Sequence, residues 1–239
     1  MPPIFWLMQT QTNIPSSLNW LSPTETSKAA KFAFEKKRRE WLLGRWTAKL
    51  AAVEAAEKTT FADYLPEPLL GIASTEQFCK IEIVNAPSGS PLLVSETLPN
   101  FYISISHRAE RAICTVGNFP HGCDLELIEA RSDQFIADYF TKPEQQFLTS
   151  CLEKAKYANL FWSAKESVMK SLQTGLSIDP RSIEVTLHDF NPSSDWQKLS
   201  MINLENRQRF SGWWRDFNPY LMTTAFPSDQ ITINKTDFF

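Results

Sequence analysis

Phe161-Trp162-Ser163-Ala164-Lys165-Glu166-Ser167-Val168-Met169-Lys170 is the stretch from which the rest of the chain can be read. It lies in a predicted helix over 156–173. At about 100° per residue, Tyr157, Phe161, Ala164, Val168 and Leu172 form one apolar stripe. Leu160 widens it on one side, Trp162 and Met169 on the other. A helix so apolar around its girth sits deep between other elements. Glu166 and Lys170 fall opposite the stripe, one turn apart, so their narrow polar arc faces a cleft. Taken alone, the same two residues also read as an ordinary exposed i,i+4 pair. The rest of the chain has to decide between these readings.

Upstream of this helix, Asp133 to Phe140 predicts a short amphipathic helix. Thr141-Lys142-Pro143-Glu144 has capping-box spacing and opens another that runs to about Glu153. Gly175 is a natural C-cap for the central helix. Cys123-Asp124-Leu125-Glu126-Leu127-Ile128 reads as a strand. Its alternation puts Asp124 and Glu126 on one face, about 7 Å apart, and Leu125 and Leu127 on the other. Two such carboxylates repel and are costly to bury unless a cation lies near. A wet edge strand is the alternative.

Phe101 to Ser106 alternates strictly, with Phe101, Ile103 and Ile105 inward. Arg111–Val116 answers it as a second strand, and His107 stands at the turn. The Gly117–Gly122 stretch is the natural boundary between halves 1–119 and 120–239. Nearer the start, 3–9 predicts a first strand. Helix follows over 25–58, in one or two pieces capped by Ser22 or Thr24, with Phe32, Phe34, Trp41, Leu42, Ala48 and Val53 inward. This region is rich in Lys and Arg, and Arg45 and Lys49 lie one turn apart. Gly44 within it suggests close backbone approach. Residues 63–71 are Pro-rich and irregular, 79–84 and 92–94 suggest short strands, and 85–91 is a turn cluster. After the central helix, strands are expected at 183–187, 196–202, 209–214, 220–226 and 230–233. The halves echo one another in element order, with no clear repeat in the residues themselves.

Bulk properties restrict function. The chain has 239 residues, enough for one large domain or two ordinary ones, and 43% hydrophobic residues, ample for a core. A net charge of −3 excludes bulk polyanion binding, so any anion site is local. Four scattered cysteines suggest neither a zinc knuckle nor a disulfide framework. Neither a signal peptide nor a membrane-spanning run is expected, which implies a cytoplasmic protein.

Three carboxylates, a histidine and a set of Lys and Arg are what a magnesium-assisted reaction at a phosphate requires. In order and spacing, Ser104-Ile105-Ser106-His107, Gly122-Cys123-Asp124-Leu125-Glu126 and Trp162 to Lys170 resemble the 4'-phosphopantetheinyl transferases of the surfactin-synthetase-activating type. Trp41-Leu42-Leu43-Gly44-Arg45 matches the N-terminal part of that family. Together the motifs cover most of residues 30–180.

The resemblance implies an α+β fold of two similar halves related by pseudo-twofold symmetry, with the active site between them. It implies Mg²⁺-dependent transfer of the phosphopantetheine arm of coenzyme A to a serine of an acyl or peptidyl carrier protein, releasing adenosine 3',5'-bisphosphate. Asp124, Glu126 and Glu166 would bind Mg²⁺. Ser106 and His107 would contact coenzyme A phosphates, His107 the 3'-phosphate, and Lys170 the pyrophosphate. Glu166 or a metal-bound water would be the base, and Lys165 of the same motif would join the residues that bind the coenzyme A phosphates. Arg45, Lys49 and one of Lys37, Arg38 and Arg39 are further phosphate partners. A monomer acting without nucleic acid or membrane is expected. Ser90 stands where many relatives have Lys. The outer side of helix 142–153, with Phe140 and Phe147, is a candidate docking surface for the carrier. A non-catalytic carrier-protein or coenzyme A-binding module and a magnesium phosphohydrolase are the alternative readings.

Overall fold

The structure, a computed structural model, describes residues 4–58, 67–68, 75–173, 178–188 and 195–228. The expected strand at 230–233, the Gly175 cap and most of the irregular 63–71 segment lie outside these residues.

The first half contains β1 (Phe5–Thr10), α1 (Pro23–Ala29), α2 (Glu35–Glu57), β2 (Glu67–Pro68), β3 (Glu82–Asn85), β4 (Pro91–Val94), β5 (Tyr102–Arg108) and β6 (Arg111–Gly117). The second contains β7 (Gly122–Leu127), α3 (Asp133–Tyr139), α4 (Lys142–Ser150), α5 (Lys154–Ser171), β8 (Ile183–Leu187), β9 (Gln197–Asn203), β10 (Arg209–Asp216) and β11 (Tyr220–Pro227). The α+β expectation therefore holds, and the two-piece first helix resolves into α1 and α2.

One sheet has the order β2-β1-β6-β5 and the other β7-β11-β10-β9-β8, while β3 and β4 form a separate hairpin. In each sheet the first strand of its half pairs antiparallel with the last, and the penultimate strand follows. The core has three parts. One lies between α2 and the first sheet, with Trp20, Trp46, Phe78 and Cys114 at its centre. Another lies between α5 and the second sheet, around Leu160, Val168 and Leu221. A third, with Trp6, Ile113, Leu125 and Trp213, draws strands from both sheets and joins the halves.

The same buried device fixes each long helix. Ser22 and Thr141 cap α1 and α4 in capping boxes, where the N3 glutamate reaches back to the cap N–H. Glu25 Oε2 accepts from Ser22 N at 3.0 Å, and Glu144 Oε2 from Thr141 N at 2.8 Å. Their other oxygens accept from Ile83 N at 3.1 Å and Val185 N at 2.9 Å. A fully buried lysine then pairs with each carboxylate, Lys49 of α2 with Glu25 and Lys165 of α5 with Glu144. Each ammonium also donates to two carbonyls: Lys49 to Trp20 and Phe78, both at 3.0 Å, and Lys165 to Pro180 at 2.9 Å and Ile183 at 2.5 Å. Burial lowers both lysine pKa values, with Glu25 and Glu144 acting in the opposite direction. Both expectations of phosphate binding are therefore corrected. A charge desolvated this fully must be spent on its partner and its carbonyls.

The device coincides with a short repeat in the sequence. Trp46-Thr47-Ala48-Lys49 and Trp162-Ser163-Ala164-Lys165 occupy matching places on their helices.

Candidate active site

The site is built where α5 crosses β7. Gly122 permits the crossing: a Cβ there would lie 2.0 Å from Ser167 O and 2.6 Å from Ser171 N. With no side chain at 122, the helix backbone rests on the start of β7, and Lys170 reaches Asp124. Gly44 differs. Its added Cβ would meet only Ile105 Cγ2, at an ordinary 3.5 Å, so the expected close backbone approach at Gly44 is not found.

β5 runs beside β7 and is buried on both faces at Ile103, Ser104 and Ser106. Ser104 Oγ accepts from Cys123 N at 3.0 Å. Ser106 Oγ donates to Asp124 Oδ1 at 2.7 Å, and Lys170 Nζ donates to the same oxygen at 2.6 Å. Asp124 Oδ2 is buried without a hydrogen-bond partner. Burial alone disfavours the Lys170 ammonium, but Asp124, Cys123 and Glu166 outweigh it and its pKa rises.

Glu126 points from the same face of β7, as the alternation predicts, yet it is held differently. Its Oε2 accepts from Arg131 Nη2 at 2.9 Å and lies 3.4 Å from Arg108 Nε. Burial, reinforced by Asp124, pushes its pKa up to about 7 against the pull of Arg131, Arg108 and Lys170. Glu166 is half-buried, and burial raises its pKa too, with Lys170 opposing and Asp124 adding.

Glu166 and Lys170 line a cleft of about 530 Å³ together with Met169, Gln173, Ile103, Ser104, Ile105 and the turn Ser88–Pro91. The cleft reading of the polar arc on α5 thus prevails over the exposed pair. Ser90 is on the wall of this cleft, its Oγ 2.8 Å from Ser88 Oγ. Arg45 is buried, stacks over Trp41 and donates to Asn85 Oδ1 at 2.8 Å, leaving Nε without a partner. Asn85 Nδ2 donates in turn to Gly89 O at 3.2 Å, so Arg45 braces the turn that walls the cleft.

Other expected residues lie apart. The alternation of β5 turns His107 away from Ser106. It is half-exposed, with Nε2 3.9 Å from Glu40 Oε2 of α2. Arg38 pairs with Glu35 and lines a second groove with residues 11–18, not the cleft. Phe140 is buried against Phe135 and Phe161 and has no outward face for docking, whereas Phe147 is partly exposed. Reading the sequence also missed Arg108, Arg131 and Asn159, which have no motif spacing to mark them.

Among the described residues, no three His, Cys, Asp or Glu side chains converge as a ready-made metal site. The reason is local: Lys170 holds Asp124 and two arginines hold Glu126. The donor set still fits a hard cation. All three carboxylates offer oxygen, and Asp124 Oδ2 is a buried acceptor left unmatched.

Residues 120–215 match the family model described as the 4'-phosphopantetheinyl transferase superfamily. This stretch contains β7, α5 and all three carboxylates. Among curated relatives, 4'-phosphopantetheinyl transferase Sfp of Bacillus subtilis is 28% identical over 56% of this chain and 60% of its own. The ffp transferase of the same species is 28% identical over 71% and 73%. The gsp transferase of Aneurinibacillus migulanus is 28% identical over 33% and 34%. The chain thus spans less than two thirds of Sfp and of gsp. A crystal structure of a holo-(acyl-carrier-protein) synthase from Bacillus anthracis in complex with CoA (3',5'-ADP) aligns with 48% of this chain and 93% of its own, at 24% identity and a TM-score of 0.36. By sequence the chain is thus similar to 4'-phosphopantetheinyl transferases, those of the Sfp type among them. Among the described residues no helix is long and apolar enough to cross a membrane.

Proposed function

We propose that this protein transfers the 4'-phosphopantetheine arm of coenzyme A to a serine of an acyl or peptidyl carrier protein, with Mg²⁺, releasing adenosine 3',5'-bisphosphate. One observation carries the reading. Asp124, anchored through Oδ1 by Ser106 and Lys170, keeps a buried, unmatched Oδ2 beside a cleft lined by Glu166 and Lys170.

In this reading Asp124, Glu126 and Glu166 would hold the metal. Bound Mg²⁺ supplies neutralisation of charge on the phosphates. Lys170 stands beside it as a second positive charge for the pyrophosphate, which stabilises the departing phosphate. The carrier serine oxygen attacks the β-phosphorus, the P–O bond to adenosine 3',5'-bisphosphate breaks, and the serine proton passes to Glu166. Ser106 acts by orienting Asp124. Arg45 supports the nucleotide end through the Ser88–Pro91 turn, and a 3'-phosphate that extends beyond the cleft would meet the exposed His107. The halves divide near residues 119 and 120, and the protein acts as a monomer in the cytoplasm.

The test is release of adenosine 3',5'-bisphosphate from coenzyme A, measured by chromatography with and without apo-carrier. Release that needs both carrier and Mg²⁺ supports transfer. Phosphate release without carrier would indicate a phosphohydrolase. Coenzyme A binding without any turnover would indicate a non-catalytic module.

A further inference from the structure

Among the buried polar groups that the proposed reaction does not use, Asn159 lies behind Glu126. A glutamate on a strand has three rotatable side-chain bonds, so something must hold its carboxylate if it is to serve the site. The side chain of Glu126 is only 11% exposed, and Lys170 is already committed to Asp124. Arg131, in the segment between β7 and α3, supplies the hold through Nη2 at 2.9 Å from Glu126 Oε2.

Arg131 is itself fixed. Its Nε donates to Asn159 Oδ1 at 2.7 Å, and its guanidinium lies 4.9 Å from the Phe135 ring centroid. Asn159 is fully buried on α5, two turns before Glu166. Its Nδ2 donates to Glu129 O and to Ala155 O, both at 2.7 Å. Two carbonyl acceptors on the amide nitrogen fix the orientation of the amide, so Oδ1 can only face Arg131. Arg108 approaches the same oxygen of Glu126 at 3.4 Å and pairs with Glu129, but it is partly exposed. The result is a chain running from the α5 backbone through Asn159 and Arg131 to Glu126.

From this geometry we infer that Arg131, seated by Asn159, is a positioning residue that sets the orientation of Glu126 for the cation. The inference rests on the transferase reading. Partners of this kind behind a metal ligand typically contribute about 10–100-fold in metal affinity or activity.

The test compares wild type, Arg131→Ala and Arg131→Lys. Three quantities are measured: Mn²⁺ binding by electron paramagnetic resonance, the Mg²⁺ concentration giving half-maximal transfer, and the thermal unfolding midpoint. Arg131→Ala should weaken Mn²⁺ binding and raise the Mg²⁺ requirement about 10–100-fold, with KM for the carrier unchanged. Added guanidinium ion should restore part of the loss, and Arg131→Lys should retain part of it. A lowered unfolding midpoint, with Mn²⁺ affinity and Mg²⁺ requirement of the folded protein at wild-type values, would overturn the inference. If the wild type transfers and binds Mn²⁺ and Arg131→Ala matches it, this inference alone falls. If the wild type does neither, the transferase reading falls and takes the inference with it.

Discussion

Helices α2 and α5 begin from the same design and end in different uses. Each carries Trp, a small hydroxyl residue, Ala and Lys in succession, and each lysine is buried on the N3 glutamate of a capping box. What separates them is the next turn. After Lys49 come Leu50 and, at the fifth position, Glu54. After Lys165 come Glu166 and Lys170. Leu50 is buried in the first core, while Glu166 and Lys170 line the cleft. The lysine fixes the helix to its half of the molecule. The residues one and five places later decide whether the helix only supports the fold or also carries the site.

The largest effect that can break this comparison is removal of a buried lysine. Lys49→Ala and Lys165→Ala each leave a buried glutamate unpaired, which costs about 3–5 kcal/mol. Urea unfolding should show the two losses to be alike. A small loss at Lys165 with abolished transfer would instead make it a residue of the site. Next, Glu166→Gln should reduce transfer about 10²–10³-fold and leave the urea midpoint close to wild type, while Leu50→Ala should do the reverse, with a lower midpoint and transfer retained by the folded protein. Steady-state rates beside unfolding curves measure both.

The glycines sharpen the contrast further. Gly122→Ala pushes a Cβ into the α5 backbone and should cost about 1–3 kcal/mol, as overpacking does. Gly44→Ala meets only ordinary contact and should gain up to about 1 kcal/mol from helix propensity. Thermal unfolding of the pair reads the difference in sign.

A last predicted effect concerns pH. Burial and Asp124 raise Glu126 from 4.5 to about 7, so the folded protein binds that proton more tightly than the unfolded chain does. This contribution to stability is complete below pH 4.5 and is lost as pH rises through about 7. Glu126→Gln removes it. With a chelator present, the stability of the variant relative to wild type should therefore increase from pH 4.5 to 7 and then level off. A flat difference would mean that Arg131 and Arg108 hold Glu126 more strongly than its burial disfavours it.

Much of this was legible in the residues. The period of α5 predicted its buried stripe and its polar arc, the alternation of β7 put Asp124 and Glu126 on one face, and Ser22 and Thr141 marked their helix starts. The failures share one cause. Lys49 and Lys165 read as free cations because capping glutamates far away in sequence, Glu25 and Glu144, claim them only in three dimensions. Arg131 and Asn159 were invisible for the same reason, since their spacing to Glu126 follows no helix or strand period. Gly44 and Gly122 looked alike as letters, and only the neighbouring backbone distinguishes them.

The most direct test of the central claim is the intact mass of an apo-carrier protein after incubation with coenzyme A, Mg²⁺ and either wild type or Asp124→Asn. The account predicts that wild type adds the mass of one phosphopantetheinyl group and that Asp124→Asn, folded to the same midpoint, adds almost none. No added mass with wild type across a panel of carriers, or equal addition by the variant, would contradict it.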